Sequence, residues 1–361
     1  MLDGGPGRLL RGGNGHLKSG EVASWLRPAA GLCKFAWSWA PLGGLSLSGE
    51  LLVLCLAVAV ALLSMRSIAR GKRRYVRMRV EAYRTDQAGA EAIVRMHEAL
   101  HRRLIARWWR RVLLGQPTIA LEVHHVRGRE DAADAVYLAW IGVSCPVGYE
   151  QMVEAALRTA YPNCRLTQAQ PAVRFATSKL LRLKKDGDFT RRVKSLDRFE
   201  HEREPAMNRL ITVMAACGEP AVVQLTLTPA PVVFERFARR HFKQRETQIS
   251  RERHAHLIPR DRSMVEEVEL RGGLDVQHRP LFFVDIRVVA SERSTCERIA
   301  SELRVETAEN RLVERGTAVR HGLLGLYRRR LERGEGNPLP GFLRAVFAAG
   351  ELASIWHLPS I

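Results

Sequence analysis

The chain has 361 residues, 46% of them apolar and 26% charged, which excludes a wholly disordered or collagen-like protein and allows about two or three domains. Its formal charge is +19, with 57 Lys plus Arg against 38 Asp plus Glu, and 49 of those cations are Arg. Anionic partners, nucleic acid or phospholipid, are favoured by that balance, although an Arg- and Ala-rich composition also follows from a GC-rich genome.

The first element with a clear physical meaning is Leu51 to Leu63, an unbroken apolar run that extends over residues 45–65 with Glu50 as its single acid. As a helix those residues span about 31 Å, enough for one bilayer crossing. Residues 1–44 precede it, which argues against a cleaved signal peptide. They carry Trp25, Trp37 and Trp39 among Gly, Pro and Ala, so one crossing and a two-crossing hairpin both fit. After the run come seven cations in fourteen residues: Arg66, Arg70, Lys72, Arg73, Arg74, Arg77 and Arg79. The positive-inside rule then places the rest of the chain in the cytoplasm. Arg66, Arg70, Lys72, Arg73 and Arg74 are candidates for contact with anionic lipid.

Beyond the anchor the pattern is α+β. Val76, Met78 and Val80 alternate with Arg77, Arg79 and Glu81 as in a half-buried strand. Ile93, Met96, Leu100, Leu104 and Trp108 then step by three or four, which predicts one long basic amphipathic helix. Two alternating segments follow, at 119–123 and 136–140, and then a helix opened by Pro146 and a short strand over 165–168. The order β-α-β-β-α-β predicts a ferredoxin-like unit over 66–171. A second such unit is expected over 172–335. Its elements are a strand within 173–183, a helix over 204–216, a strand at Val223 to Leu227, a helical insertion 231–262, a strand at Phe282 to Val288, a helix from Ser294 and a last strand over 323–327. Residues 336–361 read as a linker.

Sites for chemistry are sparse. No G-x-x-x-x-G-K-[ST] loop and no G-x-G-x-x-G after a strand occur, so neither P-loop hydrolysis nor dinucleotide binding is expected. The six cysteines, at 33, 55, 145, 164, 217 and 296, form no C-x-x-C, which argues against a disulfide framework or a zinc ribbon and suits a reducing compartment. His124 and His125 would face opposite sides of a strand and so could not easily share a metal. The reading is therefore of no catalytic, cofactor or metal residues. Basic helices remain: Arg102, Arg103 and Arg107 near Trp108-Trp109, and Arg239, Arg240, Lys243 and Arg245 in a segment with nine cations and three acids over 236–262, are candidates for phosphate contact.

The carboxyl-terminal string Glu351-Leu-Ala-Ser-Ile-Trp-His-Leu-Pro-Ser360 resembles the segment before the motor domain in the TraG/VirD-like coupling ATPases of type IV secretion and conjugation. The Tyr161-Pro162-Asn163 turn, the helix Ala206 to Cys217 with Glu219, and the strand Val222 to Pro229 resemble other blocks of that family. The resemblance implies a membrane-anchored hexameric DNA pump whose amino-terminal region precedes an ATP-driven motor. The motor, with its ATP and Mg²⁺, lies outside this chain, so the implied role is anchoring, assembly and DNA guidance without catalysis. Leu352, Ile355, Trp356 and His357 are the candidate docking ridge for that motor, partly exposed in this chain alone, with packing of Trp356 on its own α+β domain as the alternative. The alternative from a different class is a stand-alone membrane adaptor that binds protein partners or anionic lipid and no nucleic acid.

Overall fold

The alternating segments assemble into one antiparallel sheet of nine strands in a computed structural model of the chain. The structure describes residues 49–83, 88–126, 138–173, 175, 178–187, 189–193, 206–254, 277–305, 310–314, 324–336 and 342–359. The expectations for 1–48, 136–137, 204–205, 255–262, 323 and 337–341 lie outside the described residues. The chain divides into two units, Met1–Ala61 and Leu62–Ile361, and the sheet belongs wholly to the second.

Helix α1 (Gly49–Lys72) is followed by β1 (Tyr75–Glu81), α2 (Ala90–Leu104), α3 (Trp108–Leu114), β2 (Ile119–Val126), β3 (Leu138–Pro146), α4 (Glu150–Leu157) and β4 (Arg165–Gln168). The strands of this set stand in the order β4-β1-β3-β2. The next set is β5 (Lys179–Lys185), α5 (Ala206–Cys217), β6 (Ala221–Pro229), α6 (Val232–His254), β7 (Leu281–Ala290), α7 (Arg293–Val305) and β8 (Leu312–Glu314), with strand order β6-β7-β5-β8. Each set thus places its last strand at an edge, then its first, third and second. The two second strands, β2 and β6, pair with each other, Glu122 opposite Gln224, so the sets meet as one sheet. Helix α8 (Leu324–Arg333), β9 (Val346–Ala348) and α9 (Ala349–Ile355) complete the described elements, and β9 pairs with the stretch of β7 that β5 does not reach.

One face of the sheet is apolar because every second strand residue is. Leu121, Val123, Val143, Leu181, Leu225, Val284 and Ile286 lie in a single core beneath the buried sides of α2, α4, α5, α7 and α9. Helix α2 contributes Ile93, Val94, Met96, Leu100 and Leu104, the three-and-four spacing of a helix face. The opposite sheet face carries Glu122, His124, Gln224, Asp285 and Arg287, also buried. The turn that ends α8 presses on this second face. Gly334 has φ 68°, and a Cβ there would stand 2.8 Å from the Cβ atoms of Ala120 and Ser144, so both its conformation and its closeness to the sheet require glycine.

Several expectations are corrected. The basic helix does not run on to Trp108: Ile105 is extended, the side chain of Gln116 bonds Leu104 O and Ala106 N across the break, and α3 starts afresh. Residues 324–333 are helix, because Leu331 turns inward against Val222 and Val289 at helical spacing, and the fourth strand of the second set is instead β8. Where a linker was expected, residues 346–358 supply a strand, a helix and buried core.

Candidate membrane and nucleic-acid surfaces

Over Leu54–Lys72, α1 has a mean hydropathy of 1.6, and it is the one helix among the described residues long and apolar enough to cross a membrane. Its apolar side chains are bare: Leu54 is 60% exposed, and Leu56, Val60 and Leu63 are similar. The five candidate lipid cations divide into two groups. Arg66 donates from Nε to Val112 O at 2.7 Å, and Arg73 donates to Leu114 O, Gly115 O and Gln116 O at 2.7–3.0 Å. Val112 O and Leu114 O belong to the last turn of α3, whose carbonyls lack helical partners, and the two guanidiniums cap them. Arg70 lies 4.0 Å from the buried Glu335 carboxylate, while Arg333 bonds Gly71 O. The basic end of α1 is therefore fastened to the α+β body, and Lys72 and Arg74 remain exposed.

Among the candidate phosphate ligands, Arg102 is exposed beside Glu98 at 3.5 Å, a weak i,i+4 pair. Arg103 is exposed and donates to Met152 O, and Arg107 is exposed at the start of α3. These three and the α6 cations sit on different elements. Helix α6 is amphipathic over its first turns: Phe234, Ala238 and Phe242 face Phe189, Ala230, Leu281, Val346 and Ala348. Arg239, Arg240, Lys243 and Arg245 are exposed. Arg240, Lys243, Gln244, Thr247 and Arg251 line an open groove along one side of the helix.

The carboxyl-terminal ridge is not displayed. Leu352, Trp356 and His357 are buried and Ile355 is half-buried, packed into the core against α2, with the His97 ring edge-on to Trp356. Leu358 N donates to Tyr161 Oη, and Glu351 accepts from Lys185 Nζ at 2.7 Å and from Val193 N at 2.6 Å. The expected partly exposed ridge is therefore corrected: the helix and strand surfaces of this same chain already cover the indole.

Sequence reasoning missed the buried polar face. Glu122, Gln224, Arg287 and Arg182 stand opposite one another across β2, β6, β7 and β5. Arg77, which stands opposite Ser144 of β3, reaches across that strand to grip Glu122 through Nε at 2.6 Å and Nη2 at 3.2 Å. Gln224 donates to Glu122 Oε1, Arg287 donates to Gln224 Oε1 and Asp285 Oδ2, and Arg182 donates twice to Asp285 Oδ1. His124 Nδ1 accepts from Ala172 N, so the proton sits on Nε2 and is donated to Glu122 Oε2 at 2.7 Å. Burial raises the Glu122 carboxyl, but Arg77 and the His124 bond outweigh it and hold the group at about 2. Burial likewise opposes ionisation of Asp285, and Arg287 and Arg182 overcome it, holding that carboxyl below its ordinary value. The ring of His124 stacks on Trp140 at 3.8 Å, and a Cβ at Gly142 would meet that indole at 2.6 Å. The period-two runs of β2, β6 and β7 carried the only signal: polar residues alternating with apolar ones that recur on strands which pair.

No group of three or more His, Cys, Asp or Glu side chains suited to a metal occurs among the described residues. His125 points away from His124, to Glu219 O. Burial pushes the Cys145 thiol up to about 12 and that of Cys296 up to about 11, so at neutral pH neither is a thiolate nucleophile. No protein-family model matches the chain, and no curated protein sequence matches it.

Proposed function

We propose that the chain is the membrane-anchoring, assembly and DNA-guiding part of a conjugative or type IV secretion DNA translocase, with no catalysis of its own. The observation that carries this reading is the succession of a membrane-length apolar helix and an α+β body that displays the cation-lined groove of α6. A groove of guanidinium and ammonium groups holds phosphates without reading bases, as a guide for passing DNA requires. The strand orders β4-β1-β3-β2 and β6-β7-β5-β8 support two ferredoxin-like units joined through their second strands. The translocase context, the homo-oligomer and the separate ATPase motor rest on the resemblance of the carboxyl-terminal string and its companion blocks. Cations at the end of α1 support a body on the cytoplasmic side of a bacterial membrane.

One observation favours a second reading, a membrane-tethered adaptor without a nucleic-acid role. The string that carries most of the resemblance is core in this chain, and the burial of Trp356 and Leu358 is reason enough for an apolar sequence there.

Binding of the full chain, in detergent, to double-stranded DNA separates the two. The first reading expects sequence-independent affinity that falls at least about tenfold between roughly 50 and 200 mM salt, because neutralised phosphates release counterions. Charge reversal at Arg239, Arg240, Lys243 and Arg245 should flatten that slope. Affinity that ignores both salt and charge reversal would reject DNA guidance and leave the adaptor.

A further inference from the structure

We propose that α3 is an interfacial helix, seated in the anionic surface of the bilayer beside the point where α1 leaves it. This rests on the reading that α1 spans the membrane. Helix α3 has the sequence Trp108-Trp-Arg-Arg-Val-Leu-Leu114 and no buried residue. Trp108 is 71% exposed, and Trp109 and Leu114 are each 41% exposed. Two indoles left in water beside a well-packed core are costly, and indoles belong to the headgroup level of a bilayer, where the ring is dehydrated and the N–H keeps a partner.

The attachment of α3 to α1 sets its height. Arg73 holds the carbonyls of Leu114, Gly115 and Gln116, and Arg66, about 10 Å nearer the amino end of α1 by helix rise, holds that of Val112. Val112 and Leu114 are only about 3 Å apart along α3, so the two guanidiniums converge on its end, and going back from Gln116 toward Trp108 the chain turns from the Arg73 side of that contact to the Arg66 side. Leu62, Arg66, Ala69, Arg70 and Arg73 form the half-covered stripe of α1, while Leu63, Met65 and Ile68 stay bare. Arg66 is also the first cation after the apolar run, hence the level at which α1 meets headgroups. The proposal accordingly puts Trp108 and Trp109, on the Arg66 side of the contact, at about that level.

Charge selects the lipid. Arg107 and Arg110 are exposed at the start of α3 and within it, and Lys72 and Arg74 are exposed on either side of the capped Arg73, four cations against an exposed acid, Glu332, beside the Arg333 that bonds Gly71 O. Arg110 lies over the Trp109 ring at 5.1 Å, placing a guanidinium beside the face that would enter the interface. An apolar aromatic face ringed by arginines fits a bilayer containing anionic phospholipid. The caps from Arg66 and Arg73 give the assignment a mechanical sense: a short helix that could not form alone is held ready at the membrane surface.

The test uses the full chain in nanodiscs of phosphatidylcholine with about one quarter phosphatidylglycerol. Subtracting the emission of Trp108→Phe/Trp109→Phe from that of the unaltered chain isolates the two indoles. The proposal expects blue-shifted difference emission, quenched at least about twofold by nitroxide lipid labelled near the glycerol backbone and less by label at the chain end. Arg107→Glu/Arg110→Glu should reduce that quenching in anionic discs, because the reversed charges are repelled by the anionic headgroups. Water-like, unquenched difference emission from a chain that resists carbonate extraction would overturn α3 alone. Blue-shifted but unquenched emission would mean that a protein surface, not lipid, covers the face, and would also overturn it. Loss of the chain to carbonate would overturn the α1 reading and this one together.

Discussion

The two faces of the sheet solve one problem in opposite ways. Both are buried, yet one is closed by aliphatic side chains under five helices and the other by a chain of guanidinium, carboxylate and amide groups that crosses from β1 to β5. The apolar face gains stability in proportion to the area it removes from water. The polar face has no such gain to spread over its parts, because each buried charge depends on one or two particular partners. Loss of volume should therefore weaken the first face locally, and loss of a single partner should unbalance the second over several strands.

The largest expected effect is on the apolar side. Trp356→Ala should lower stability by roughly 3 to 5 kcal/mol and Tm by about 10 °C in thermal melting of the full chain. A shift within about 1 °C would return the indole to the surface and undo the contrast between the faces. On the polar side, Glu122→Gln should cost about 3 to 4 kcal/mol, because Arg77 then keeps its charge in a buried place without an opposite one. The double variant Arg77→Met/Glu122→Leu should recover most of that loss, and a double-mutant cycle by urea unfolding reads the coupling. Additive losses would show that the two side chains do not act as a pair.

Acid should probe the boundary between the two styles of packing. Burial pushes the His97 imidazole down to about 4, opposed by its bond to Ile93 O and reinforced by His357 nearby. The unfolded chain takes up that proton near pH 6.5 and the folded chain excludes it to about pH 4, so stability is complete above pH 6.5 and falls by about 3 kcal/mol across the interval. His101 and His124 are also held low, by burial against the pull of Glu235 and Glu122, and steepen the same slope. Melting followed from pH 7 to pH 4 should show a smaller slope for His97→Leu by one proton's share; an unchanged slope would place the acid sensitivity elsewhere. The smallest effect is expected in solvent, where Arg102→Ala should alter stability by no more than about 0.5 kcal/mol.

Much of the sheet was legible in the sequence because a period of two is imposed by strand geometry wherever one face is apolar. Val76-Met78-Val80 and Val223-Leu225-Leu227 announce their strands without tertiary information. The burial of the intervening Glu122, Gln224 and Arg287 was not legible, since alternation says which residues share a face and nothing about what covers it. The expected strand over 323–327 fails because a short apolar segment satisfies helix and strand alike; the described residues 324–333 are helical, with Leu331 buried against Val222 and Val289. The break before α3 escaped notice because Trp108 continues the spacing of Leu100 and Leu104 while standing out in water. For the carboxyl-terminal ridge, spacing identified an apolar surface in need of cover. Only the folded chain shows that the cover is its own α2.

The late position of β9 and α9 in the chain has a consequence for synthesis. When β8 has left the ribosome, the Leu281–Phe283 stretch of β7 still lacks its neighbour and the inner side of α2 still lacks Trp356 and Leu358. Those two surfaces stay uncovered until residues 346–358 emerge, and contacts of such high sequence separation slow folding. If α1 has already entered the bilayer by then, each unfinished body waits at the surface beside others made from the same message. The bare β7 segment is then an edge open to a neighbouring chain, and the interval before residues 346–358 appear is the moment at which this protein is most exposed to misassembly.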